Sequence, residues 1–216
     1  MGATNTNRHL VSPAANTTDS FVMTAFSFEA ALGVAALMVG WLVGVDPLST
    51  IPVLAKDSSS EYLLAVLWGT AATIPLLIGL WFINRLAFRP LVRIRRFVTS
   101  RVLPLFEPLS LLELAAVSLA AGFGEELLFR GLCQAAIAER ISGPTGIVFA
   151  IALTSVLFGV CHWITPAYAV LAAVASIYFG VLFLMTGSLL APLVTHSLYD
   201  FLALVYLTRW SKSKPL

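Results

Sequence analysis

Runs of about twenty apolar residues recur along this chain, and they restrict its possible folds more than any other feature. The first run, residues 26–45, is long enough to cross a hydrocarbon core of about 30 Å as a helix that rises about 1.5 Å per residue. Of the 216 residues, 59% are hydrophobic and 11% are charged, whereas soluble domains are about half apolar and about a quarter charged. The sequence therefore predicts an all-α integral membrane protein, a polytopic transmembrane helical bundle.

We expect about six transmembrane spans. The spans after the first one cover approximately residues 62–83, 111–140, 145–163, 167–185 and a last segment that ends near residue 207. Pro75 predicts a kink inside the second span, because proline cannot donate the helical hydrogen bond. The third span is longer than a bilayer is thick, so it must tilt, bend or protrude.

The composition divides the chain into four segments. Residues 1–25 are polar and rich in Thr, Asn and Ser, which predicts a disordered tail and not a secretory signal peptide. Residues 26–110 hold two spans and a basic interfacial segment, residues 111–208 form a helical core with most of the ionisable residues of the apolar spans, and residues 209–216 are a basic tail.

Six arginines lie close together after the second span: Arg85, Arg89, Arg93, Arg95, Arg96 and Arg101. Basic residues with interleaved aromatic ones can bind nucleic acid, but at the edge of a span the preference for positive cytoplasmic loops accounts for them. We therefore expect an amphipathic segment that lies on anionic lipid, and no nucleic-acid partner. Together with the basic tail and an even number of spans, this charge predicts cytoplasmic N- and C-termini.

Three charged residues, Glu125, Glu126 and Arg130, lie inside the apolar third span. A charge at this depth costs several kcal/mol by most estimates, roughly 3 or more per group. On a helix, Glu126 and Arg130 lie on the same face and can form an ion pair, whereas Glu125 points about 100° away and is left for another role. The alternative is a purely structural ion pair with a second glutamate that reaches for the interface.

The later spans add His162, four residues after Phe158, and His196, four residues before Asp200. Ionisable groups in membranes face one another or a water-filled cavity. We therefore predict that six residues from three helices form one site: Glu125, Glu126, Arg130, His162, His196 and Asp200.

These residue types can hydrolyse a peptide bond. Glu125 can act as general base toward a water that His162 also holds. His196 can then donate to the oxyanion, with Asp200 fixing its orientation. Alternatively, Glu125, His162 and His196 are the ligand types of a divalent metal such as zinc, although the nearby Arg130 disfavours a cation. We expect no cofactor and leave the metal open.

The motifs Glu125-Glu126-x-x-x-Arg130, Phe158-x-x-x-His162 and His196-x-x-x-Asp200 resemble those of the CPBP family, the CAAX prenyl proteases and bacteriocin-processing proteins also labelled Abi. The resemblance covers approximately residues 111–207 and makes residues 111–208 a catalytic core. It implies an intramembrane endopeptidase in which the glutamate and the first histidine act on water, and the last pair acts on the oxyanion. Asp200 stands where type II prenyl proteases typically have asparagine.

The resemblance also implies partners and a location. We expect contact with membrane lipid and a peptide or protein substrate at or in the bilayer, such as a prenylated CAAX C-terminus or a bacteriocin leader peptide. The expected location is the plasma membrane of a prokaryote. The open alternatives are a zinc-dependent form of the protease, a transporter, for which we find no internal duplication, and a non-catalytic membrane scaffold.

Overall fold

The computed structural model describes residues 13–51 and 59–210, and the side chains from residue 20 onward. In these ranges the regular secondary structure is all helical, without strands, which confirms the predicted all-α class. The α-helices are α1 (Pro13–Val43), α2 (Ser59–Arg85), α3 (Arg89–Phe97), α4 (Leu103–Phe106), α5 (Leu111–Glu126), α6 (Ala135–Arg140), α7 (Pro144–Cys161), α8 (Pro166–Thr186) and α9 (Leu190–Val205). Segments with π-helical geometry follow α3, α5 and α9, at Val98–Val102, Leu127–Gln134 and Tyr206–Trp210.

Five described helices are long and apolar enough to cross a membrane: Ser20–Val43 of α1, then α2, α7, α8 and Leu190–Trp210. The segments Arg89–Phe106 and Leu111–Arg140 satisfy the same test only together, and they are bent by 114°. The described chain therefore has five spans, or up to six, and the upper number agrees with the prediction. Leu111–Arg140 does not qualify alone because its charges interrupt every long apolar stretch.

The start of the first helix differs from the sequence prediction. The helix begins at Pro13, so the second half of the tail predicted over residues 1–25 is helical. A polar stretch can be helical when its hydroxyl groups find partners, and Thr24 donates to the Ser20 carbonyl of its own helix at 2.7 Å. Phe21 also packs edge-on against Phe106 at 5.2 Å. Residues 1–12 and the basic residues 211–216 lie outside the described ranges.

The ends of several helices meet on one side of the bundle. Arg209, beyond α9, donates to the backbone oxygen of Glu107 at 2.9 Å, just before α5 begins. Arg95 in α3 donates to the backbone oxygen of Ile83 at 2.6 Å, near the end of α2. The basic segment, the start of α5 and the end of α9 therefore share one side.

The opposite side joins a different set of helix ends. Arg140 at the end of α6 donates to the backbone oxygen of Val43 at 2.9 Å, where α1 ends. The backbone nitrogen of Leu189, just before α9, donates to the oxygen of Thr50 at 3.3 Å, in the turn after α1. The helices therefore alternate in direction, as expected for consecutive membrane spans.

Two glycines let α5 approach its neighbours closely. A Cβ atom on Gly122 would collide with the Ser197 hydroxyl of α9, and one on Gly124 would collide with the Glu29 backbone oxygen of α1. Small residues are what allow helix backbones to approach this closely in membranes. These crossings place the two glutamates that follow Gly124 at the junction of α1, α5 and α9.

Candidate active site

The predicted ion pair is present at the end of α5. Glu126 Oε1 lies 2.9 Å from Arg130 Nη1, and both side chains are fully buried, with 0% exposure. Arg130 Nη2 also donates to the backbone oxygen of Ser176 at 2.9 Å and to its hydroxyl at 2.8 Å. The pair therefore ties α5 and its π-helical continuation to α8.

Three aromatic rings surround the guanidinium group. Arg130 Cζ lies 5.0 Å from the ring centre of Phe158, 5.2 Å from that of Phe179 and 6.0 Å from that of Phe129. Each such cation–π contact contributes about 0.5–2 kcal/mol, more when water is excluded. The carboxylate, the serine and the rings together compensate a charge that would otherwise be very costly at this depth.

His196 in α9 contacts two carboxylates. Its Nδ1 lies 2.8 Å from Glu126 Oε1, and its Nε2 lies 3.5 Å from Asp200 Oδ2. Because a carboxylate paired with arginine accepts hydrogen bonds, we assign the proton on Nδ1. The shorter contact is to Glu126, so Glu126 orients this ring more firmly than Asp200, to which sequence reasoning gave that role. The imidazole also stacks on Phe179, with centres 4.9 Å apart.

His162 lies at the end of α7, facing Glu125. Its Nδ1 is 2.8 Å from the backbone oxygen of Phe158, which can only accept, so Nδ1 donates. Its Nε2 is therefore directed at Glu125 Oε2, 3.6 Å away. The ring stacks on Phe158 with centres 4.3 Å apart. A separation of 3.6 Å exceeds a direct hydrogen bond, and one water lying beside the two atoms can contact both of them.

Glu125 itself is buried, and one of its carboxylate oxygens is not used in a hydrogen bond among the described residues. Its side chain is 11% exposed, and among the described residues its Oε2 has no hydrogen-bond partner. The carboxylate also interacts electrostatically with His196 and Asp200. The structure therefore brings all six predicted residues into one cluster, and their catalytic roles remain predictions.

Sequence reasoning missed two residues of this cluster. Glu29 in α1 interacts electrostatically with His196 and Asp200, and Tyr168 in α8 with Asp200 and Glu125. The sequence could have indicated Glu29, because it is the one charged residue in the apolar run 26–45. Tyr168 had none in the sequence.

The arrangement does not fit the metal site that the sequence left open. Among the described residues, no group of three or more His, Cys, Asp or Glu side chains is placed to hold a metal ion. Both nitrogens of His196 face carboxylates, and Nδ1 of His162 faces a carbonyl oxygen. Of the three expected ligands, Glu125 and His162 keep donor atoms that face each other, whereas both nitrogens of His196 already face carboxylates, so the three do not form a complete ligand set.

Comparison with known protein families gave a match to the part of the chain that carries this cluster. Residues 107–202 match the family model described as Type II CAAX prenyl endopeptidase Rce1-like, and all six predicted site residues lie within the match. Comparisons with curated proteins and with solved structures gave no match. Over residues 107–202, the chain is therefore similar to the type II CAAX prenyl endopeptidases, and this similarity supports the resemblance to the CPBP family that the three motifs indicated.

Proposed function

We propose that this protein is an intramembrane endopeptidase that hydrolyses membrane-associated peptides or proteins with a water activated by Glu125 and His162. The observation that supports it most is the unpartnered Oε2 of Glu125, buried and 3.6 Å from His162 Nε2. A structural glutamate at this depth would be paired, as Glu126 is.

In the proposed reaction, Glu125 removes a proton from the water while His162 Nε2 accepts its second hydrogen bond. The water oxygen attacks the carbonyl carbon of the scissile peptide bond. Glu125 then returns the proton to the leaving amine as the carbon–nitrogen bond breaks. General acid–base catalysis of this kind contributes about 10²–10⁴-fold to a rate.

His196 is the proposed donor to the oxyanion. Carboxylates of Glu126 and Asp200 lie beside its two nitrogens, so the proposed donor is the doubly protonated imidazole, whose Nε2–H can point toward the developing negative charge. While it is ionised, Asp200 can accept hydrogen bonds but cannot donate them, so its proposed role is to position the ring and not to donate to the oxyanion.

This role predicts the effect of replacing Asp200. Asp200→Ala should lower kcat/KM about tenfold, because one charged contact to His196 is lost. Asp200→Asn should stay within about threefold of wild type, since an amide can replace the contact and also donate to the oxyanion. The measurement is kcat/KM in detergent, with Asp46→Ala at the opposite side of the bundle as control. Unchanged kcat/KM in Asp200→Ala would remove Asp200 from the site.

We propose that the water is activated without a metal, and this predicts the response to chelators. Activity should stay within about twofold after treatment with EDTA or 1,10-phenanthroline, because the donor atoms of His196 already face protein carboxylates. Added zinc should not raise it. Loss of activity with chelator and recovery with zinc would support the zinc-dependent form instead.

The proposed substrates are peptides held at the bilayer by a lipid anchor or an apolar segment, such as prenylated CAAX C-termini or bacteriocin leader peptides. The test uses purified protein in nanodiscs with three probes: a farnesylated CAAX peptide, the same peptide without the farnesyl group, and a bacteriocin leader peptide. Mass spectrometry identifies the cleavage site. We expect cleavage of at least one membrane-bound probe by wild type only. No difference between wild type and Glu125→Gln on any probe would contradict the proposal.

We also propose a prokaryotic plasma membrane with the basic side in the cytoplasm. Support comes from the shared side of the six-arginine segment and the end of α9, which both carry arginines. Excess positive charge is the usual mark of the cytoplasmic side.

A further inference from the structure

Among the described residues, eight buried side-chain polar atoms have no hydrogen-bond partner, and outside the Glu126–Arg130 ion pair four of them are on α1, α5 and α9. These four are the hydroxyls of Ser118 and Ser197 and the Oε2 atoms of Glu29 and Glu125. Buried polar atoms are nearly always paired with protein or with ordered water. Such a group of unpaired atoms is therefore unusual in an apolar bundle.

These atoms belong to α1, α5 and α9, which meet at Gly122 and Gly124. Ser118, Gly122 and Glu125 are spaced four and three residues apart on α5, so they share a face. Gly122 is the point where the Ser197 hydroxyl of α9 contacts α5, and the Glu29 backbone contacts α5 two residues later. We call this row, lined by Ser118, Ser197, Glu29 and Glu125, the polar seam.

Several other hydroxyls in the same bundle are satisfied by their own helices, although that of Ser155 in α7 is not. Thr73 donates to the Gly69 oxygen at 3.0 Å, and Thr154 donates to the Ala150 oxygen at 2.7 Å. This local bond is the usual solution for a hydroxyl in an apolar helix. Ser118 is 2% exposed and could form the same bond to Leu114, but it does not.

We propose that the polar seam holds a row of ordered water molecules that leads to Glu125. A buried water needs two to four polar partners, and the seam supplies hydroxyl and carboxylate atoms along its length. The inference that this row delivers the reacting water rests on the proposed function. Each hydrolysis consumes one water molecule, and the Glu125 side chain has little direct contact with the surface, at 11% exposure, so a polar route through the helices can supply the next one.

Silver ions test the seam without using catalysis, because Ag⁺ is small, soluble in water and reacts with thiols. The background is Cys133→Ala with Cys161→Ala, and single cysteines are placed as Ser118→Cys, Ser197→Cys and, as a buried control, Thr73→Cys. Membranes are treated with Ag⁺, washed, denatured and labelled with a maleimide. We expect Ag⁺ to block labelling at positions 118 and 197 at least about tenfold faster than at position 73, as water-exposed thiols ionise and react more readily than buried ones.

Equal blocking rates at positions 118, 197 and 73 would mean that the seam is dry and would overturn the proposal. The two serine positions are separate variants, so a folding defect in one leaves the other informative.

The proposed delivery of water to Glu125 has its own measurement. Ser118→Ala with Ser197→Ala should lower kcat about fivefold with KM unchanged, as loss of one net hydrogen bond would do. If wild type hydrolyses nothing, the proposed function fails while the silver result still decides the seam.

A second proposal comes from the basic segment. A groove of about 590 Å³ is lined by Arg93, Arg96, Phe97, Ser100 and Arg101. These positions are spaced three, one, three and one residues apart, so they form one helical face. All five are exposed, and no acidic residue lines the groove.

The opposite face fixes this segment to the bundle. Ile94 is 5% exposed. Arg95 donates to the backbone oxygens of Ile83 and Leu86 at 2.6 and 2.8 Å, so it provides hydrogen-bond partners for carbonyl groups at the end of α2. The three groove arginines have no such role. The segment is also bent by 114° from the helix that carries Glu125, so it does not continue that span across the membrane.

We propose that this groove, with Arg93, Arg96 and Arg101, binds the phosphate of an anionic phospholipid headgroup. Guanidinium groups bind phosphate oxygens in a two-point geometry, and Phe97, 38% exposed, can insert between lipid chains at the interface. Basic groups beside a membrane each contribute about fivefold to binding of anionic lipid.

Native mass spectrometry of protein released from nanodiscs tests this by counting retained lipid. Wild type should retain phosphatidylglycerol in preference to phosphatidylcholine. Arg93→Gln with Arg96→Gln and Arg101→Gln should lower that retention at least about tenfold, whereas Arg89→Gln outside the groove should leave it nearly unchanged. Equal retention in the triple variant would overturn the proposal. Displacement of the lipid by millimolar inorganic phosphate would show a site for free phosphate instead.

Discussion

Replacing Glu125 with glutamine should lower peptide cleavage by about 10³-fold while leaving the protein folded, because the amide has the same shape but cannot accept the proton of the water. Folding should be unaffected, since Glu125 Oε2 has no partner among the described residues and its loss leaves no charge unpaired. The measurement is kcat/KM in nanodiscs, with gel filtration and thermal unfolding in detergent.

Glu139→Gln is the matched control, because Glu139 is an exposed glutamate in α6, away from the cluster. It should keep wild-type activity. Cleavage by Glu125→Gln at more than about a tenth of the wild-type rate would exclude Glu125 as the general base, for which losses of about 10²–10⁴-fold are typical.

Replacing Arg130 with methionine should lower the free energy of unfolding by about 3–5 kcal/mol and remove activity. Methionine fills much of the same volume, but it leaves the Glu126 carboxylate buried with 0% exposure and no arginine partner. The orientation of His196 depends on that carboxylate, so the oxyanion donor is disturbed as well. The measurement is denaturant unfolding in detergent, with Arg89→Met as an exposed control.

The double variant Glu126→Gln with Arg130→Met separates stability from catalysis. Removing both charges should restore most of the lost stability, because a buried ion pair contributes little net free energy compared with neutral residues. Activity should stay low, since His196 has lost the carboxylate that orients it. A single variant Arg130→Met that unfolds within about 1 kcal/mol of wild type would contradict the description of this ion pair as buried.

The sequence was sufficient for the helical class and for local contacts. Apolar runs require helices because the bilayer offers no hydrogen-bond partner to the backbone. The Glu126–Arg130 pair followed from helical spacing alone, and the structure has it at 2.9 Å. Spacing of this kind is set by one helix and does not depend on how the helices pack.

Contacts between distant segments could not be predicted in this way. Glu126 and His196 are 70 residues apart and meet only because Gly122 lets α5 and α9 approach closely. Glu29 lies outside every motif, and its place near the cluster depends on the crossing at Gly124. A single sequence does not encode which helix faces meet, because many faces of a membrane helix are equally apolar.

The most direct test of the central claim compares the membrane proteomes of cells that carry wild-type protein or Glu125→Gln, using mass spectrometry to find new peptide ends close to the bilayer surface. The account predicts a set of membrane-associated proteins that are cut in wild-type cells and intact in the variant, and whose cleavage returns when wild-type protein is restored. Identical peptide ends in the two strains, with both proteins folded and equally abundant, would contradict it.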